Sequence, residues 1–298
     1  MRLVPSYDLA THARNAIAPL RPWTTLHFDP VRWHGLCDAT ARQLGCEPNE
    51  LGRMHEVEAT RGDAPRKNRR RTTGSRVDVE ALESLVRTYE AFVCDVVCAH
   101  VADRYVGGCD EIIFQALPSL RVAVPSDKAS GIRHRDGAYG HQPGQINFWL
   151  PLAPAFGHNT LWLEPPTTGD AGDGAEDVGA GQQRYQSAAA WPLEGDFGTL
   201  HRFHGHQCFH YTRPNDTPAT RVSLDFRVVP GPCYEDDWAA SRAPTGAQSF
   251  FLGGYYAKAR FDGDRWRVCR ESKPELLCGN AARRAGTAGA ARMAPRGD

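Results

Sequence analysis

Residues 133–152 read RHRDGAYGHQPGQINFWLPL and place His134 and Asp136 two positions apart. On an extended backbone, side chains two apart project to one face, so an imidazole nitrogen and a carboxylate oxygen can reach the same ion. H-x-D arises often by chance; this one gains weight by standing at the end of an irregular stretch, immediately before a strongly apolar run. A divalent iron that must also accept a co-substrate and dioxygen needs three protein ligands on one face and three open positions, the pattern of two histidines and one carboxylate. The third ligand must come from further along, and residues 203–230 offer His204, His206 and His210. Arg221 follows His210 by eleven positions (221 − 210) and Ser223 stands two beyond it. On a strand, that guanidinium and hydroxyl share a face and form a receptor for a carboxylate.

The elements that would position these groups are legible in the surrounding pattern. From about residue 111, short runs rich in β-branched and aromatic residues (IIFQAL, LRVAVP, INFWLPL, NTLWLEP, RVSLDFRVVP, YYAKARF) alternate with Gly, Pro, Asn and Asp turns. This predicts a β-rich sandwich or barrel able to close around a cavity. Residues 1–110 read as helical and irregular. Between Val77 and Val106, the positions Leu82, Leu85, Tyr89, Phe92, Val93, Val96 and His100 recur at three- and four-residue steps, predicting a long helix with one buried face. Residues 61–76 form a basic loop; residues 165–192 form a Gly-, Ala- and Asp-rich insertion expected to be a flap. Residues 279–298 are low-complexity and expected to be disordered. The expected organisation is a single domain over 1–278, with a helical packing region to 110 and the β core over 111–278.

Composition excludes several classes. Lys and Arg number 35 and Asp and Glu 35, so the formal charge is 35 − 35 = 0. A dedicated nucleic-acid or acidic-membrane binder would carry a basic excess. No run approaches the roughly 18 apolar residues of a membrane helix, and the N-terminus lacks the apolar core of a signal peptide; a cytoplasmic location is expected. The nine cysteines are scattered with no C-x-x-C pair, which reads as reduced, mostly buried thiols.

Taken together, His134-x-Asp136, a gap of 210 − 136 = 74 residues to His210, and Arg221-x-Ser223 resemble the iron(II)/2-oxoglutarate-dependent oxygenases. NTLWLEP, the Gly195-Asp196 step and the His210-to-Arg221 interval resemble their phytanoyl-CoA-hydroxylase-like branch. HRDGAYGHQPGQINFWLPL and CFHYTRPNDTPATRVSLDFRVVP are similar to actinobacterial oxygenases of aminoglycoside antibiotic pathways such as streptomycin, kanamycin and hygromycin biosynthesis. The resemblance covers roughly residues 117–230. It implies a double-stranded β-helix, the cupin-like jelly roll, flanked by N-terminal helices. It further implies that His134, Asp136 and His210 hold Fe(II) and that Arg221, helped by Ser223, pairs with the distal carboxylate of 2-oxoglutarate. Thr212 stands where that branch often places a hydroxyl. Asn147, on a face with Gln145 and Trp149, would bind 2-oxoglutarate or substrate. His206 stands where the antibiotic-pathway relatives are expected to carry Asn, so three histidines lie close together and His210 is selected by its spacing to Arg221.

The implied activity is oxidation of an unactivated C–H bond with O2, ending in hydroxylation, ketone formation or closure to an orthoester of the hygromycin type. A polycationic aminoglycoside would require carboxylates. Asp170, Asp173, Glu176 and Asp177 in the flap, with Glu164, Asp225, Glu235, Asp236 and Asp237, are the contacts expected from the sequence. Two alternatives stand beside this reading. One keeps the cofactors with another small polar substrate, such as a sugar, amino acid or acyl intermediate. The other is a non-catalytic metal-binding jelly roll, which the intact Arg221 and Ser223 disfavour.

Overall fold

Residues 221–228 alternate strictly: Val222, Leu224, Phe226 and Val228 are apolar, whereas Arg221, Ser223, Asp225 and Arg227 are polar or charged. Such a segment, if it is a strand, must bury one face in a core and turn the other toward something polar. The computed structural model, which describes residues 23–60, 78–104, 108–164, 190–238 and 250–269, resolves where each face goes. Its strands are β1 (Trp23–His27), β2 (Glu111–Gln115), β3 (Ser119–Ala123), β4 (Ile146–Pro151), β5 (Leu161–Leu163), β6 (Trp191–Leu193), β7 (Thr199–Phe203), β8 (His210–Thr212), β9 (Arg221–Pro230), β10 (Tyr256–Phe261) and β11 (Trp266–Val268).

The large sheet runs β1-β7-β4-β9-β2-β10-β11, with β3 also paired to β9, and the small sheet runs β6-β5-β8. A single bridge between His134 and His210 extends the small sheet past β8. From β3 onward the chain winds between the sheets: β3 in the large, His134 in the small, β4 large, β5 and β6 small, β7 large, β8 small, β9 large. This is the winding of a double-stranded β-helix, and the expected jelly roll is the observed fold.

The outer face of the large sheet is covered by helices α1 (Gly35–Leu44), α2 (Met54–Thr60), α3 (Val79–Phe92) and α4 (Ala99–Arg104), the last two joined by a π-helical stretch, Val93–Cys98. Asp78 caps α3 by accepting from the Ala81 N–H at 3.0 Å. Leu85, Tyr89, Phe92 and Val93 lie in one buried cluster with Val222, Leu224, Phe226 and Val228 of β9 and Ile146, Phe148 and Leu150 of β4. Phe226 stacks on Phe148 with centroids 5.5 Å apart and meets Tyr89 edge-on at 5.2 Å. Burying each such ring fully contributes roughly 1.5–3 kcal/mol. With the apolar face of β9 thus satisfied, its polar face is left to the interior of the jelly roll.

Three expectations are corrected. The N-terminal region is not wholly helical and irregular: β1 pairs with β7 at the edge of the large sheet. Its five residues are too few to declare a period against the helical pattern that follows. The expected flap ends before residue 191, because Trp191 and Pro192 belong to β6, which pairs with β5; residues 165–189 lie outside the described residues, as do the basic loop and the 279–298 tail. The H-x-D pair does not lie along a strand, as the geometry below shows. Among the described residues the eight cysteines are free, and no helix is long and apolar enough to cross a membrane.

Candidate metal centre

His134, Asp136 and His210 converge, with their ligand atoms all within 4.8 Å of one another. The first and last are brought together by the backbone. His134 N–H donates to His210 O at 3.2 Å and His210 N–H to His134 O at 2.9 Å, which sets the two rings 4.2 Å apart, centroid to centroid. Arg135 is extended (φ −110°, ψ 144°), so Asp136 falls on the same side as His134. The chain then leaves the extended form in a 3₁₀ turn, Asp136–Tyr139, closed by Gly140 at φ 85°. The pair therefore sits at one bridge residue and a turn, which the Asp136 N–H secures by donating to Gly205 O at 2.8 Å. His204 and His206 do not join the cluster; the His206 ring instead packs over Gly137, where a Cβ would lie 2.8 Å from Nε2.

The tautomers follow from the partners. His134 Nδ1 lies 2.8 Å from Ile132 O and His210 Nδ1 lies 3.1 Å from Cys208 O. A carbonyl oxygen only accepts, so each Nδ1 carries a proton, which leaves Nε2 as the atom of each ring that can face an ion. Those Nε2 atoms lie 3.7 Å and 3.3 Å from Asp136 Oδ1. Burial, then the neighbouring His210, pushes His134 down to about 4, so it is neutral near pH 7, the form that ligates a metal. Burial works to raise the Asp136 carboxyl, but Arg227 and His210 outweigh it and hold the group well below the usual carboxylate range.

The second carboxylate oxygen, Oδ2, faces away from the imidazoles. It accepts from Asn147 Nδ2 at 2.6 Å and Gln145 Nε2 at 2.8 Å, with Arg227 Nε at 3.4 Å. Asn147, expected to bind 2-oxoglutarate or substrate, gives its amide nitrogen to Asp136, and its own Oδ1 accepts from Gln145 Nε2 and Gly205 N–H. Gly205 is required for this approach, since a Cβ there would lie 2.4 Å from Asn147 Nδ2.

Arg221 and Ser223 face the same interior, two residues apart on β9. Both are buried, at 3 % and 0 % exposure. Arg221 donates from Nη1 to Asn159 O at 3.3 Å, while its Nε and the Ser223 hydroxyl have no hydrogen-bond partner. Asp225, the carboxylate that acts on Arg221 among the described residues, is taken up by Arg121 (2.6 Å) and by Arg227. Burial, then Arg121, pulls Arg221 down to about 10. A buried guanidinium with no ion pair among the described residues, beside an orphaned hydroxyl, is the signature of a place for an anion. The cleft there is lined by Lys128, Arg213, Thr212 and Asn159 besides Arg221, and among the described residues no carboxylate lines it. Thr212 borders it, but its Oγ1 already accepts from Ser130 N–H (2.9 Å) and Gly131 N–H (2.6 Å), anchoring the loop that leads to His134.

Two acidic residues named from the sequence as substrate contacts are otherwise engaged. Glu164 is buried and accepts from Arg133 at 2.7 and 3.0 Å, and Asp225 lies between two arginines. Sequence reasoning missed Arg227 and Tyr256, which complete the surroundings of Asp136. Continuing the two-residue step from Arg221 through Ser223 and Asp225 reaches Arg227, so the signal was present.

A jelly roll carrying two imidazole nitrogens and one carboxylate oxygen close together, with a buried, unpaired guanidinium on β9, defines the class: a jelly-roll protein with a donor set that could hold a divalent metal. No family model matches the chain. It is similar to the streptomycin biosynthesis protein StrG of Streptomyces griseus, 32 % identical over 126 residues, which are 42 % of this chain and 51 % of that protein; the match thus spans about half the length of the relative. Among solved structures it resembles SnoK, a non-heme alpha-ketoglutarate-dependent carbocyclase of nogalamycin biosynthesis (TM-score 0.46, 12 % identity, 79 % of this chain and 91 % of that one). It also resembles EvdO2 from Micromonospora carbonacea var. aurantiaca complexed with 2-oxoglutarate (TM-score 0.41, 13 % identity, 78 % and 94 %).

Proposed function

We propose that this protein is an Fe(II)/2-oxoglutarate-dependent oxygenase acting on a small molecule, and that its substrate is an aminoglycoside-type intermediate of antibiotic biosynthesis. The observation that carries the first part is the pairing of the facial His134, Asp136 and His210 set with the unpaired, buried Arg221 and Ser223. The donor set fits Fe(II), and the orphaned guanidinium and hydroxyl fit the distal carboxylate of 2-oxoglutarate. Bound there with O2, the metal and its co-substrate supply the oxidant for an unactivated C–H bond.

The chain's own contribution is positional. His134 and His210 present their Nε2 atoms, each ring oriented by its Nδ1–H donating to a carbonyl. Arg221, fixed by Asn159 O, offers its remaining N–H groups to the co-substrate carboxylate, and Ser223 adds a hydroxyl. Thr212 holds the loop that leads to His134. Trp149, Leu163, Leu193 and Phe203 form an apolar cluster inside the jelly roll that excludes water from one side of the site.

The substrate class is supported by the likeness to StrG. It is supported also by an acidic turn, residues 235–237, docked on the loop that follows Asp136. Gln142 Nε2 donates to Glu235 O, Glu235 N–H donates back to Gln142 Oε1, both at 2.9 Å, and Trp238 Nε1 donates to Gly140 O at 3.1 Å. Negative charge at that place suits a polycation. Ring closure to an orthoester is the outcome we favour. The test is anaerobic reconstitution with Fe(II) and 2-oxoglutarate, addition of aminoglycoside precursors, admission of air, and mass spectrometry of products. Substrate-dependent succinate with loss of two hydrogens indicates closure or dehydrogenation, and gain of one oxygen indicates hydroxylation. No 2-oxoglutarate binding and no succinate with any precursor refutes the proposal.

A further inference from the structure

The two oxygens of Asp136 have different surroundings, and the difference has a direction. Oδ1 faces the two Nε2 atoms; Oδ2 accepts from Asn147 and Gln145 and has the Arg227 guanidinium beside it as an ion pair, Nε at 3.4 Å. The donors are arranged in sequence. Tyr256 O–H donates to Gln145 Oε1 at 3.2 Å, so the Gln145 amide nitrogen must point the other way, toward Asp136 Oδ2 and Asn147 Oδ1. Gly205 N–H donates to the same Asn147 Oδ1, so the Asn147 amide nitrogen likewise points at Oδ2. Neither amide can flip without setting an oxygen against a carboxylate. Arg227 is held from its far side by Asp225, which Arg121 also grips, so an alternating chain Arg121, Asp225, Arg227, Asp136 crosses the sheet from β3 to the metal ligand.

We propose that Arg227, Gln145 and Asn147 clamp Asp136 as a one-oxygen ligand, so that His134, His210 and Oδ1 fill three positions and three stay open. A carboxylate released from the clamp can swing both oxygens onto a divalent ion and close one of those positions. The three are positioning residues: they touch the ligand and not the metal. Tyr256 and Gly205 fix their orientation. The inference rests on the metal-site reading and adds to it the mode of ligation.

The test uses Mn(II), which needs no turnover and no exclusion of air. Mn(II) affinity is read from the electron paramagnetic resonance signal of the free ion, and metal-bound waters are counted by pulsed resonance in isotopically labelled water. Wild-type protein is expected to hold three waters. Asn147→Ala is expected to bind Mn(II) about 10–100-fold more weakly, the range for loss of a group that orients a ligand, and to hold two waters. Arg227→Gln is expected to do the same, while Arg227→Lys recovers part of the affinity. A merely structural role would lower the melting temperature without changing the water count. Asn147→Ala and Arg227→Gln proteins that melt as wild type does, bind Mn(II) with unchanged affinity and keep three waters overturn the clamp. Wild type that binds no Mn(II) overturns both the clamp and the metal site. Wild type with three waters but no succinate formation leaves the clamp supported and removes the oxygenase reading alone.

Discussion

Replacing Arg221 with methionine should have opposite effects on stability and on co-substrate binding. Without an anion, the guanidinium is buried at 3 % exposure, has no carboxylate partner and is pulled from 12.5 to about 10. That difference is a penalty on the charged form of about 3 kcal/mol, since one pKa step is about 1.4 kcal/mol. Methionine of similar length removes the penalty and forfeits the hydrogen bond to Asn159 O, about 1 kcal/mol. The ligand-free variant should therefore gain about 2 kcal/mol, or roughly 4–8 °C in melting temperature at about 2–4 °C per kcal/mol for chains of this size range. Binding of 2-oxoglutarate should suffer the loss of a buried charged partner, about 2–5 kcal/mol, which is roughly 30- to 4000-fold in Kd. Thermal melts with and without 2-oxoglutarate, and calorimetric titration of the metal-loaded protein under argon, measure both. A variant that melts several degrees below wild type and binds 2-oxoglutarate within threefold of it would refute the anion-receptor argument.

Gly205→Ala should leave the jelly roll folded, because the glycine lies in a turn. Its Cβ would displace Asn147 and weaken divalent-metal binding about tenfold, measurable by titration against a fluorescent chelator. His201, at 2 % exposure, is held near a pKa of about 4 chiefly by burial, with the Glu194 carbonyl opposing. It is neutral when folded but protonates near 6.5 when unfolded, so the unfolded state takes up the extra proton and stability falls with acid. That contribution is intact above pH 6.5 and declines toward pH 4 by up to about 3 kcal/mol. Urea midpoints across that range should show the slope, and His201→Gln should flatten it. Phe226→Ala should cost about 3–5 kcal/mol by opening a cavity between β9, β4 and α3, read from the denaturation midpoint.

Much of the site was legible because two-residue alternation on strands is a local property. The step from Arg221 to Ser223 announced a shared face, and β9 is a full strand in which that step holds. The helical stripe Leu82, Leu85, Tyr89 and Phe92 was equally plain, since a three- and four-residue period needs no knowledge of the partner that covers it. The H-x-D geometry was reached for a partly different reason: only Arg135 is extended, and the turn after Asp136 is closed by Gly140. The protein partners of Asn147 were not legible, because its place on a face with Gln145 says nothing of what stands opposite. The acidic residues Glu164 and Asp225 read as open contacts for the same reason: Arg133 is 31 positions from Glu164 and Arg121 is 104 from Asp225, although the second partner of Asp225, Arg227, stands on the same face of β9.

By itself the sequence determined most of the elements and a β-rich core, because residue type and periodicity act over a few neighbouring positions, while the jelly roll and the choice of His210 as the third ligand beside His134 and Asp136 rested on the family resemblance. Which oxygen of Asp136 faces the two imidazoles, which arginine is paired and which is left without a carboxylate among the described residues were decided only by the tertiary structure. Those outcomes depend on contacts between β3, β4, β9 and the turn after His134, strands whose mutual register no local pattern specifies. Asp225 can satisfy Arg121 and Arg227 and leave Arg221 bare only once β3 lies against β9 in the observed register, Arg121 opposite Ser223.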